Sequence, residues 1–125
     1  MIIFSEKFLD LKSKIAGFKV AGFFAVFFIV MREIPSGFYA VKRWKIVLNH
    51  ERIHQRQCWE MLVLPFLLAY GGHYIWNRLR GLNHYEAYKG VIFEKEANTH
   101  ENEFDYLSTR PWFNCFKEDY PDYVQ

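Results

Sequence analysis

The sequence predicts a small α+β domain in which an N-terminal β-hairpin region precedes a mostly helical half. Three observations carry this. The run from Val20 to Met31 is continuously apolar, rich in β-branched and aromatic residues, and bounded by Lys19 and Arg32. It is short for a membrane-spanning helix, which needs about 20 residues, and reads as a buried strand. From His50 onward, and again from Phe93 to Leu107, inward-facing residues recur at helical spacing. The chain of 125 residues has room for one core and not two. It divides into a strand and hairpin region over 1–45, helices over 46–108 and an aromatic tail over 109–125.

Composition narrows the function. The formal net charge is +2, with Lys and Arg scattered rather than gathered into a stripe, so nucleic acid is not an expected partner. Two cysteines, Cys58 and Cys115, do not make a disulfide framework, and a reducing compartment fits them. Residues 1–19 mix Phe4, Phe8, Leu9 and Leu11 with lysines and acidic residues and offer no small-residue cleavage site, which is no convincing signal peptide. The expected location is the cytoplasm or the cytoplasmic face of a membrane.

Taken in order, the segment Ile34-Pro35-Ser36-Gly37 is a turn, and Phe38-Tyr39-Ala40-Val41 returns as the second strand of the hairpin. Trp44 to Leu48 leads into the first helix, with Asn49 beside its start as a candidate cap unless the helix begins earlier. That helix should kink or end at Pro65. Met61 to Trp76 carries no formal charge and is followed by Arg78 and Arg80, a pattern that suits either an interfacial helix at a membrane or a buried arm of a helix hairpin. Asn83 to Gly90 is a polar connection. A second helix starts near Phe93, with Phe93, Ala97, His100, Phe104 and Leu107 on its core face, and Ser108-Thr109-Arg110-Pro111 stops it. The tail from Trp112 packs across the domain as irregular structure.

The chemistry lies in His50-Glu51-Arg52-Ile53-His54, an HExxH pattern. Two histidines four apart on a helix stand one turn above each other, so both imidazoles can reach one metal ion, for which Zn2+ is the natural choice. Glu51 then lies beside the metal, where a carboxylate can take a proton from water. His50, His54, Gln57 and Cys58 share one helical face, whereas Arg52, Gln55, Arg56 and Trp59 point away. A catalytic zinc site needs a third ligand, and Glu94, Glu96 and Glu101 all flank the face of the second helix. Periodicity does not choose among them. His100, four after Glu96, offers an alternative metal pair, Cys58 would close the site if its sulfur joined it, and Tyr88 is a candidate oxyanion donor. His73 and His84 read as ordinary packing or surface residues.

HExxH followed by Glu94-Lys95-Glu96-Ala97-Asn98 resembles the glutamate-ligand zincins, such as the membrane CAAX-processing proteases and their heat-shock relatives. The chain is also similar to a group of small bacterial proteins that share the blocks Leu48 to Gln57 and Phe93 to Asn98. The resemblance covers roughly residues 46–107. It implies a zincin-like fold, a zinc ion held by His50, His54 and Glu94, Glu51 as the base, and a peptide or protein substrate, with the hairpin edge placed to hold that substrate. Asn98 stands where those families carry an aspartate that would orient a histidine. Two further readings are a non-catalytic metal-binding protein and a membrane-surface interaction protein built on 61–76.

Overall fold

The computed structural model describes residues 2–16, 22–24 and 29–121, and these build a small α+β domain. A three-stranded sheet is formed by β1 (Ile2–Phe4), β2 (Gly22–Phe24) and β3 (Ile29–Met31), in the order β1-β3-β2. β3 is central. It pairs in parallel with β1, Ile2 against Ile29 and Phe4 against Met31, and antiparallel with β2, Gly22 against Met31 and Phe24 against Ile29. Between β1 and β2 runs α1 (Glu6–Ala16). Arg32, just past β3, ties α1 down through ion pairs to Glu6 and Asp10.

The sequence expectation for the hairpin is corrected here. Both antiparallel strands lie within 20–31, while Phe38–Val41 is the first turn of a 23-residue helix, α2 (Phe38–Glu60). Residues 25–28, the middle of the expected long strand, lie outside the described residues. Phe38 and Tyr39 favour strands by type, yet both are exposed and no strand among the described residues pairs with them. What decides is the next turns: Trp44, Val47 and Leu48, at helical spacing, pack on Ile29 and Met31 of the sheet. Gly37, at φ 98°, supplies the left-handed bend from which the helix starts. The helix therefore begins well before residue 46, and Asn49 is not a cap. It sits mid-helix, buried, and its Nδ2 donates to the carbonyls of His100, Glu101 and Glu103 at 2.9–3.3 Å.

α2 ends at Glu60, and after a break at Met61-Leu62 the chain continues as α3 (Val63–Leu79). Pro65 falls in the first turn of α3, where its missing N–H costs nothing, so it starts a helix rather than kinking one. The expected polar connection is in fact a short helix, α4 (His84–Lys89), capped reciprocally: the Asn83 side chain accepts from the Glu86 N–H at 2.9 Å and the Glu86 carboxylate from the Asn83 N–H at 3.1 Å. Gly90 lets α4 approach α3, because a Cβ there would stand 3.1 Å from the buried Asn77 amide.

α5 (Ile92–His100) crosses α2 and brings Phe93, Ala97 and His100 inward as expected. It stops earlier than expected, and Phe104 is exposed in the turn before the short α6 (Tyr106–Thr109). The tail makes a single 3₁₀ turn, Asn114–Phe116, and buries Asn114, Cys115 and Tyr120. Two apolar clusters hold the helices: Cys58, Phe66, Val91, Phe93 and Cys115 in one, Ile53, Ala97 and Tyr106 in the other. Both cysteines are free. Among the described residues no helix is long and apolar enough to cross a membrane.

Candidate metal centre

The centre forms where α2 and α5 cross. His50 and His54 project from successive turns of α2, and Glu94 meets them from the first turn of α5. His50 Nε2 lies 3.1 Å from Glu94 Oε2, His54 Nε2 lies 3.1 Å from Glu94 Oε1, and the two Nε2 atoms are 3.1 Å apart. All three side chains are buried and their ligating atoms lie within 4.8 Å of one another, so the group could hold a metal ion. Two imidazole nitrogens and a carboxylate are the donor set of a three-ligand metal site.

The far nitrogen of each histidine is held. His50 Nδ1 is 2.7 Å from Glu101 Oε2, and as N–H it donates to that carboxylate. His54 Nδ1 is 2.9 Å from Gln57 Oε1. The Gln57 amide cannot turn over without loss, since its Nε2 donates to the Phe93 carbonyl at 3.1 Å and to Glu96 Oε2 at 2.8 Å. Its oxygen must then face His54, which fixes the proton on Nδ1 and leaves Nε2 to the centre. Glu96 is in turn held by the Tyr106 hydroxyl at 2.8 Å and by Arg110, whose guanidinium also pairs with Glu60.

Glu94 has further partners. The Tyr70 hydroxyl of α3 donates to Oε1 at 2.6 Å, and Tyr88 of α4 also hydrogen-bonds this carboxylate. Burial pushes both phenols well up, and the charge of Glu94 adds to it, so both remain protonated donors. Burial alone would push the Glu94 carboxyl up as well. The charge on His54 and the hydrogen bonds from His50 and His54 win, and hold it well below the usual carboxylate range. For His50 burial works downward, but hydrogen bonds to Glu101 and Glu94 and the charges of Glu94 and Glu51 raise it to about 10. His54 is raised too, against burial, chiefly by the charge of Glu94. Glu51 is buried, close enough to act electrostatically on both imidazoles and both phenols.

These contacts separate the three candidate glutamates. Glu94 joins the histidines, Glu101 stands behind His50, and Glu96 turns to Gln57, Tyr106 and Arg110. The alternative pairing of Glu96 with His100 does not form. His100 instead bonds Glu103 at 2.8 Å and Glu118 at 3.2 Å and stacks on Tyr106. Cys58, though on the same helical face, packs in the apolar cluster and is not among the grouped ligands. Asn98 orients no histidine: its amide donates to the Glu94 carbonyl and its oxygen accepts from Lys89. The orienting carboxylate is Glu101, which the linear motif does not mark. Tyr70 also has no sequence signal beyond its place in an apolar run. His73 accepts the Ile92 N–H at the start of α5, and His84 pairs with the Tyr74 hydroxyl. Compared with known proteins, the chain matches no protein-family model, no curated protein and no solved structure.

Proposed function

We propose that the chain is a zinc-dependent metallopeptidase in which His50, His54 and Glu94 hold the metal and Glu51 is the general base. The convergence of the two Nε2 atoms and the Glu94 carboxylate supports this most directly. Two borderline nitrogen ligands with one carboxylate suit zinc better than magnesium or calcium, which prefer oxygen donors. When bound, such a metal would acidify its water toward neutrality and polarise a carbonyl. Glu51 takes the proton released from the attacking water and delivers it to the leaving amine. Glu101 and Gln57 keep the imidazoles in one tautomer, and Tyr70 and Tyr88 fix the Glu94 carboxylate. Tyr88, whose hydroxyl is engaged by Glu94, is then a positioning residue before it is an oxyanion donor. The free state of both cysteines suits a reducing compartment.

The test is metal content by elemental analysis on protein purified without added metal. Wild type and Glu51→Gln should each carry about one zinc per chain, and His50→Ala and Glu94→Ala should lose it. Wild type, but not Glu51→Gln, should then cleave members of a mixed peptide library. A wild type that is metal-free and takes up no zinc on titration makes the histidines packing residues and ends this reading.

A second reading is favoured by burial. His50, Glu51, His54 and Glu94 are all at most 9% exposed, which suits an ion held for structure. Zinc that raises the melting temperature of a wild type unable to cleave any peptide would establish that alternative.

A further inference from the structure

α3 is apolar on both sides, and among the described residues only one side is packed against the domain. Phe66 and Asn77 are buried on the inner side, where Tyr70 reaches Glu94. On the outer side Leu64, Leu67, Leu68, Ile75, Trp76 and Leu79 are each between 52% and 77% exposed. Projected at about 100° per residue these six span roughly half the circumference, far wider than the seam along which two helices pair. A helix apolar all round belongs where both of its sides are out of water. Charge identifies what covers the outer side. Between Glu60 and Glu86 the chain has no acidic residue, and its only formal charges are Arg78 and Arg80, both exposed at the C-terminal end of α3, where Arg80 also donates to the Asn77 side chain at 2.6 Å. An apolar face with Trp and Arg at one end, in a stretch of chain without a carboxylate, complements an anionic lipid surface.

We infer that α3 docks the domain flat on an anionic phospholipid bilayer through its outer apolar face, with Arg78 and Arg80 on the lipid headgroups. At 17 residues the helix is about 25 Å long, and its inner side is taken by the protein. It lies in the interface and does not cross it. Docked in this way, the buried Glu94 side chain stands about one helix diameter from the membrane surface. This inference rests on α3 alone and is independent of whether a metal binds.

Flotation of the full chain with vesicles tests it, comparing phosphatidylcholine with phosphatidylcholine containing phosphatidylserine. Wild type should float with the mixed vesicles and less with the neutral ones, and added salt should weaken the difference. Arg78→Gln with Arg80→Gln should lower binding roughly tenfold or more. Leu68→Asp with Ile75→Asp should abolish it while the circular dichroism spectrum stays that of wild type. A wild type that floats with neither vesicle overturns the inference. So does a wild-type dimer in sedimentation equilibrium that Leu68→Asp with Ile75→Asp dissociates, since a second copy would then cover the face.

Discussion

Arg110 gives the sharpest handle on the architecture behind the candidate metal centre. Its guanidinium is fully buried between Glu96 and Glu60, whose side chains are 0% and 1% exposed, so one cation serves two desolvated carboxylates. Burial alone would lower its pKa, but the two acids raise it, so it stays charged at all working pH. Arg110→Met keeps much of the volume and removes the charge. Breaking one buried pair costs about 3–5 kcal/mol. Here two carboxylates lose their partner, while Glu96 keeps the Tyr106 hydroxyl and the Gln57 amide, so a loss of about 4 kcal/mol is expected. For a chain between the small and medium size classes this is a fall of about 12–20 °C in melting temperature. Thermal melts by far-UV circular dichroism read it. Adding Glu96→Gln to Arg110→Met removes one orphaned charge and should recover part of the stability. A loss below about 1 kcal/mol at neutral pH would show that Arg110 is not the buried counter-ion of this pair.

Two further outcomes follow from the same contacts. His50 is raised from 6.5 to about 10, so without metal its pairing with Glu101 and Glu94 stabilises the fold fully below pH 6.5, and that contribution is lost between pH 6.5 and about 10. If zinc binds as proposed, it displaces this proton, and that of the likewise raised His54, so its apparent affinity, read by competition with a chelator, should rise at least tenfold per pH unit across the window; a flat profile would deny that His50 is a ligand. The glycines of α3 and α4 should behave oppositely. A Cβ at Gly71 meets nothing within 4 Å, so Gly71→Ala should stabilise by about 0.5–1 kcal/mol, whereas at Gly90 it stands 3.1 Å from Asn77 and the Glu86 carbonyl, and Gly90→Ala should destabilise by about 1 kcal/mol or more. Urea midpoints that move the same way in both variants would contradict the packing of α4 on α3.

The centre was legible to the extent that it is local. His50 and His54 lie one turn apart on any helix, and the amphipathic reading of 50–58 placed them inward, as they are. The choice among Glu94, Glu96 and Glu101 was not local. It depends on Arg110 capturing Glu96, and on the turn after α5 bringing Glu101 back over His50. Neither Arg110, in a polar stop signal, nor the turn residues show a period that would reveal this. The sheet was misread for a related reason. β1 pairs in parallel with β3 across more than twenty residues, and parallel pairing has no turn signature of the kind that marks a hairpin. Without that partner in view, Phe38–Val41 looked like the missing strand, and the length of α2 was hidden.

What joins these misreadings is one position, Asn49. A capping residue at the start of a helix and a buried amide in its middle look alike in sequence, yet the difference decides how α5 sits on α2. Its amide gathers the carbonyls of His100, Glu101 and Glu103, the stretch in which α5 ends and the chain turns. That turn is what carries Glu101 to His50 Nδ1. The residue directly before His50 therefore anchors the loop that orients this candidate ligand, so the spacing Asn49-His50 links fold and site geometry in two adjacent side chains. The histidines supply the donors, but the geometry that makes them a centre comes from polar groups such as Asn49, Gln57 and Glu96, each buried and each satisfied by a partner on another element.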